Sequence, residues 1–209
     1  MKKLLSLVLA LLLALSFAGC SGSTAMTEKN VTATVDSAFD ALKRFDTKKL
    51  EKYVDSKTLS VIITYANKHD QFADLGKALF KNLEYSIESI DLNAKTVTVS
   101  VRNKDLKDTA SAFTKALVSK YSALQMLSLL NNETWLNTSL KSLTDSIAIA
   151  KMQSAPVSVT LTVTAGKKNL MLGFDDTAEN AVSGGALQAV KSLTSGLTGS
   201  KSTTESTSN

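Results

Sequence analysis

The chain has very few of the residues that most often build catalytic and metal sites. Its 209 residues include one cysteine, one histidine, one tryptophan and one proline. A single cysteine cannot close a disulfide within the chain, so the core alone must stabilise the fold. With His69 as the only histidine and Cys20 as the only thiol, the chain lacks the nitrogen and sulfur ligands of a zinc site. We therefore expect no metal and no cofactor.

Positive charge is neither strong nor concentrated. The formal net charge is +5, of which Lys2 and Lys3 contribute two, so +3 remains without them. Arg44 and Arg102 are the only arginines, and charges of both signs are interleaved along the chain. Nucleic-acid-binding surfaces need a basic stripe or an arginine cluster. The composition therefore argues against a nucleic-acid partner.

The first nineteen residues have the composition of an export signal. Lys2 and Lys3 precede an almost unbroken apolar run from Leu4 to Phe17. That run is shorter than the roughly 20 residues that a helix needs to cross a bilayer, and small residues follow it at once. We therefore predict that residues 1–19 form a signal peptide that is removed on export.

The apolar run ends in Phe17-Ala18-Gly19-Cys20, which resembles the lipobox of bacterial lipoproteins, with Phe17 where that box usually has leucine. The resemblance implies that the Cys20 thiol receives a diacylglycerol and that Cys20 becomes the first mature residue. Two or more acyl chains would then hold the protein at the bacterial cell membrane, facing outside the cytoplasm. The alternative is ordinary cleavage after Ala18, which leaves Cys20 as a chance residue of a secreted protein.

Changes in composition divide the remaining chain into three parts. Residues 20–29 are small and polar and predict a lipidated flexible tether, of which the nine residues after Cys20 reach roughly 30 Å when fully stretched. Residues 194–209 are rich in serine and threonine, which predicts a disordered tail. Residues 30–193 are long enough for one domain with a sizeable core.

Apolar residues at helical spacing predict four helical stretches in the first half of this domain. The first runs from Val31 to Phe45, and the second is TKKLEKYVD, residues 47–55, with Asp46 as its N-cap. A third stretch covers 59–66, and the fourth restarts at Asp70 and extends to Leu83.

Two stretches in which apolar and polar residues alternate predict β-hairpins. The first covers 85–101, with a turn at Asn93–Lys95 and a bulge near Ser89. The second follows Pro156 and covers 157–174. Together the hairpins predict an antiparallel sheet packed against helices, which is an α+β domain.

Helical patterns also fill the chain between and after the hairpins. One apolar stripe spans Phe113 to Leu127 and another spans 136–147, with Asn131-Asn132 between them. A last helix, capped by Asp176 or Thr177, is predicted to extend to Leu193.

The stretch AFDALKRFDTKKLEKYVD, residues 38–55, looks like the first helices of small bacterial lipoproteins with a nuclear-transport-factor-two-like, cystatin-like fold. The order of helices and hairpins is also similar over roughly residues 30–175. The resemblance implies a curved antiparallel sheet that wraps helices into a cone-like single domain. It implies no activity, since many such lipoproteins have none assigned and a fold does not give a function.

His69-Asp70 is the one candidate for an acid–base pair. Neighbouring residues on a helix do not face each other, and no activated nucleophile is recognisable in the sequence. We therefore interpret His69 as a surface histidine and Asp70 as a helix cap.

The other candidate motifs have simpler structural explanations. Asp175-Asp176 could contribute to a calcium site, but no calcium-loop pattern surrounds it, so capping of a helix is favoured. Ser183-Gly184-Gly185 lacks the rest of a phosphate loop, which favours close helix packing. Trp135 could line a pocket, but a tryptophan of an amphipathic helix usually lies in the core. The glycan-acceptor patterns are interpreted as coincidence; they begin at Asn30, Asn132 and Asn137.

These features favour a non-enzymatic binding or interaction domain on a membrane anchor, with an unknown small-molecule ligand or partner protein. Two alternatives stay open. The first is an isomerase-like or dehydratase-like enzyme that uses a small pocket of the cone, and the second is a purely structural envelope component.

Overall fold

A five-stranded mixed sheet organises the residues that a computed structural model of the chain describes, which are 24–166 and 168–189. The predicted signal peptide, Cys20 and the predicted tail at 194–209 lie outside these residues. The helices are α1 Glu28–Arg44, α2 Thr47–Tyr53, α3 Lys57–Ala66, α4 Asp70–Phe80, α5 Lys107–Lys120, α6 Ala123–Leu129, α7 Glu133–Ile149 and α8 Asp176–Val182. The strands are β1 Val54–Asp55, β2 Glu84–Asp91, β3 Thr96–Arg102, β4 Val157–Ala165 and β5 Leu170–Gly173. The expected α+β class is confirmed.

The sheet has the strand order β1-β5-β4-β3-β2 and is open, with β1 and β2 at its edges. Both predicted hairpins are present, and β3 pairs antiparallel with β4 between them. The prediction of a purely antiparallel sheet is wrong, because β1 pairs parallel with β5. Val54 and Asp55, predicted to end the second helix, form this strand: Val54 has extended φ and ψ of −123° and 124° and is buried.

The bulge predicted near Ser89 is confirmed. The register between β2 and β3 shifts between Ile87 and Ser89. The extra residue lets Ile90 pack against the same core as Tyr85 and Ile87, although strict alternation would turn it away.

The main core lies between the sheet and α1. Phe39, at the centre of α1, is completely buried and stacks on Tyr85, with ring centroids 4.3 Å apart. Phe174 lies on another side of the same ring, at 6.2 Å. Buried valines and leucines of β3, β4 and β5 complete this layer; they are Val97, Val99, Val101, Val159, Leu161, Val163, Leu170 and Leu172.

A second core cluster holds the later helices together. Leu106 and Ile147 are buried in it, and partly buried side chains of α4, such as Leu75, pack against it. The hydrogen bonds between α4 and α7 pair residues that increase in the same direction, so the two helices run parallel.

The predicted stripe from Phe113 to Leu127 does not lie on one helix. The chain is extended at Tyr121, and Ser122 starts α6 with a capping box in which its hydroxyl accepts from the Gln125 backbone N–H. The Gln125 side chain accepts from the Ser122 backbone N–H in return. This reciprocal cap provides partners for backbone N–H groups at the start of α6, which favours a new helix there over a continuation of α5.

Two helix caps also differ from the prediction. His69, not Asp70, occupies the N-cap of α4, and its side chain makes no capping hydrogen bond. Asp175, not Asp176 or Thr177, caps α8 by accepting from the Ala178 backbone N–H at 2.8 Å.

The predicted last helix is interrupted after Val182 and resumes at residues 186–189, where the described chain ends. Gly184 and Gly185 follow with φ of 60° and 86°, which favour glycine. A Cβ on Gly184 would lie 1.8 Å from the Lys104 carbonyl oxygen, so this turn packs backbone against backbone. The glycine pair therefore serves close packing, as expected, while it breaks the helix.

Across the described part of the chain, no helix is long and apolar enough to span a bilayer.

Candidate functional site at the junction of two helix N-termini

His69 and Glu133 meet where the N-termini of α4 and α7 lie side by side. The His69 Nδ1 atom lies 2.8 Å from the Glu133 Oε1 atom. Glu133 is the first residue of α7, where a carboxylate also interacts favourably with the helix dipole. The two residues are 64 positions apart in the sequence, so only the parallel packing of α4 and α7 brings them together.

Gln71 completes a four-residue group, the His69–Glu133 cluster, which consists of His69, Gln71, Glu133 and Asn137. The Gln71 Nε2 atom donates to Glu133 Oε2 at 2.9 Å and to Asn137 Oδ1 at 2.7 Å. Both acceptors fix the orientation of the amide, which leaves Gln71 Oε1 buried without a hydrogen-bond partner. Within the described ranges it is the one buried side-chain oxygen or nitrogen in this condition.

The environment of His69 corrects the interpretation as a surface residue. Its side chain is only 13% exposed, whereas that of Glu133 is 61% exposed. The extended backbone at the N-cap turns the ring away from the α4 axis, toward α7 and the Phe72 ring, whose centroid is 6.3 Å away. The hydrogen bond with His69, followed by that from Gln71, lowers the pKa of the Glu133 carboxyl.

An imidazole oriented by a carboxylate is the arrangement of a general base. In the described part of the chain, however, no hydroxyl group forms a hydrogen bond with His69. No three histidine, cysteine, aspartate or glutamate side chains among the described residues are grouped so that they could hold a metal ion. The observed contacts therefore connect α4 to α7.

A second cluster of polar side chains, which the sequence analysis missed, surrounds Glu179 on the inner face of α8. Glu179 is buried, and its carboxylate accepts from the Ser56 and Thr58 hydroxyl groups. Ser56 is also the N-cap of α3, so this contact ties α8 to the start of α3. The available signal was a glutamate among the alanines and valine of α8, on the face that turns inward.

The short helix α6, which ends shortly before Glu133 in the sequence, exposes apolar side chains. Leu124 is 80% exposed and Leu127 is 59% exposed. Trp135, expected in the core, is only half-buried; it lies in the first turn of α7, edge-on to Tyr121 at 6.4 Å. We call these four residues, Tyr121, Leu124, Leu127 and Trp135, the leucine corner.

An open depression of about 660 Å³ follows the outer face of α7, from Asn137 to Ile149. Six of its seven lining residues are polar or charged, and Lys141 pairs with Asp145 within it at 3.1 Å. It does not have the enclosed apolar walls that small-molecule sites usually have.

The three asparagines of the glycan-acceptor patterns all have side chains that form hydrogen bonds. The Asn30 amide donates to the Ala25 carbonyl, Asn132 caps α7, and Asn137 accepts from Gln71.

Comparison of the chain with protein-family models, with curated proteins and with solved structures found no significant match.

Proposed function

We propose that the chain is an extracytoplasmic bacterial lipoprotein, anchored to the membrane through Cys20, whose domain is a non-enzymatic binding or interaction module. The leader and the lipobox-like stretch support the anchor. The leucine corner is the proposed contact surface for a partner protein.

The observation that carries the binding role is the packing between sheet and helices. An enzyme of the cone-like type would need an apolar cavity there, with an acid or base directed into it. That space instead contains Phe39, stacked on Tyr85 and flanked by Phe174. The packing supports recognition on the outer surface of the domain.

The leucine corner has the composition of a contact surface. Two leucines with large exposed areas lie on a short helix, and Tyr121, which directly precedes that helix, contacts the half-buried Trp135. Tyrosine and tryptophan are enriched in protein interfaces, and contiguous exposed apolar side chains mark such sites.

The cone-like fold is part of the same proposal. The bulge at Ser89 supports it, because a bulge bends its strand and increases the local twist. So does α1, which covers the sheet as the long first helix of that fold would.

Photo-crosslinking from the leucine corner tests the binding role. A photoreactive side chain at Leu124 or Leu127 of the full-length protein in its host cells should give a defined protein adduct. Val61 on α3, which is apolar and 58% exposed, is the matched control and should give no such adduct. The same adducts from all three positions, or none from the corner, would contradict the proposal, as would substrate turnover by the purified protein.

The anchor has a separate test. Cys20→Ala should shift the protein from the membrane fraction to the soluble fraction and prevent incorporation of labelled fatty acid. If the variant fractionates with membranes as the wild type does, Cys20 is not the anchor.

A further inference from the structure

We propose that a group of four lysines, Lys48, Lys49 and Lys52 of α2 and Lys168 of the β4–β5 turn, docks on the anionic headgroups of the membrane that anchors the chain. We call this group the lysine face. The inference rests on the proposed lipidation of Cys20 for its biological setting, but its physical basis lies in three observations on the described residues.

The first observation is where the chain enters the domain. The Thr24 hydroxyl donates to the Lys168 carbonyl oxygen at 2.8 Å, which joins the first described residue to the β4–β5 turn. The Asn169 amide, next in that turn, donates to the Lys52 carbonyl oxygen at the end of α2. The entry point, the turn and α2 are therefore connected by direct hydrogen bonds.

The second observation is the charge of this region. All four lysines are exposed, and Leu50 is the buried residue of α2, so the three lysines of α2 extend from the outer side of that helix. None of them forms an ion pair with another described residue. Glu51 is the single acidic residue within α2, and two further carboxylates lie beside the helix, at its N-cap Asp46 and at Asp55 of β1. A cluster of unpaired lysines complements the negative surface potential of anionic lipids.

The third observation is the short connection to Cys20. Helix α1 begins at Glu28, two residues before the predicted start of the domain, and Thr24 is already hydrogen-bonded. Only four residue steps separate Cys20 from Thr24, and they reach at most roughly 14 Å. The reach predicted from the sequence was about twice as long. A lysine is attracted to a charged surface within about one Debye length, roughly 8 Å at physiological salt. The short connection therefore lets the lysine face approach the membrane to within that distance and limits how far it can move away.

Binding to vesicles by the unlipidated chain tests the inference without the anchor. The chain from residue 21 to 209 contains every described residue. It should cosediment with vesicles that contain phosphatidylglycerol, and not with vesicles of phosphatidylcholine alone. Added salt should release it. The triple variant Lys48→Gln, Lys49→Gln, Lys52→Gln should bind roughly 100-fold more weakly, at about fivefold for each lysine near the surface.

The matched control removes three exposed lysines of α5, as Lys107→Gln, Lys115→Gln and Lys120→Gln. It changes net charge equally and should bind as the wild type does. Equal losses in both triple variants would mean diffuse charge attraction and would overturn the proposal. So would unchanged binding of the α2 variant, or equal binding to neutral vesicles, which would indicate insertion of apolar side chains. Because Cys20 is absent from this chain, a negative result leaves the anchor untouched, and the Cys20→Ala test decides the anchor separately.

Discussion

The His69 imidazole and the Glu133 carboxylate, 2.8 Å apart, join the N-cap of α4 to the first residue of the parallel helix α7. The contact therefore holds the first turn of α7 against the start of α4. Trp135 of the leucine corner belongs to that first turn, so the contact also fixes its position. The contact gives a structural role to the only histidine of the chain.

This pair predicts a pH-dependent contribution to stability. The Glu133 pKa is lowered in the folded protein, chiefly by the hydrogen bond with His69. The contribution of the carboxylate is therefore complete above the usual pKa of glutamate and is lost as the pH falls through the lowered folded value. Glu133→Gln should lower the free energy of unfolding at neutral pH. Urea unfolding should show that the difference between wild type and variant becomes smaller as the solution is acidified. Glu28→Gln, also at the first position of a helix but at a glutamate with no ion pair to another described residue, is the control and should destabilise the protein less at neutral pH.

Tyr85 predicts a loss of folding stability at alkaline pH. Its hydroxyl donates to Asp36 at 2.9 Å, and its pKa is raised by burial first and by that hydrogen bond second. The resulting stabilisation is complete below the usual pKa of tyrosine, about 10, and is lost as the pH rises through the raised folded value. Tyr85→Phe should keep the stack on Phe39, cost about 0.5–1 kcal/mol at neutral pH, and remove this alkaline loss. Equal alkaline loss in wild type and variant, measured by urea unfolding, would contradict the assignment.

Asn103 should be among the most sensitive positions in the protein. It is completely buried, and its amide donates to the carbonyl oxygens of Leu79 and Val182 while its oxygen accepts from the Lys104 N–H. Asn103→Ala leaves three backbone groups without partners, so we expect a loss of about 3 kcal/mol or more in the free energy of unfolding. Asn82→Ala, at an exposed asparagine, should change it by less than about 0.5 kcal/mol. Similar losses from both variants would refute the proposed role of the Asn103 contacts.

Alanine substitutions at the two glycines after α8 should lower the free energy of unfolding by different amounts. Gly184→Ala places a Cβ 1.8 Å from a backbone oxygen at a φ of 60°, so we expect a loss of at least about 2 kcal/mol. At Gly185 the nearest atom is the Lys107 Cβ, at 3.1 Å, so Gly185→Ala should cost less, mainly through its φ of 86°. Chemical denaturation of both variants checks the order, and a larger loss at Gly185 would contradict it.

Local patterns predicted most of the elements correctly. The alternation of Val97, Val99 and Val101, and of Val159, Leu161 and Val163, places each of these residues in the core. Asp46 caps α2 as its position before the apolar pattern predicts. In these cases, the short-range preference and the long-range packing agree.

The wrong predictions have two causes: contacts between residues distant in the sequence, and a local cap that hydrophobic spacing does not reveal. Val54 leaves the helix because it pairs with Leu172, far along the chain. The capping box at Ser122 interrupts a stripe that hydrophobic spacing alone would continue. The His69–Glu133 cluster was missed because nothing in the sequence near either residue indicates that α4 and α7 run parallel.

Mass spectrometry of the intact protein, purified from membranes of its host cells, tests the central claim most directly. The account predicts a chain that begins at Cys20 and carries a diacylglyceryl group on that residue. A chain that begins at Gly19, with an unmodified Cys20 thiol, would contradict it.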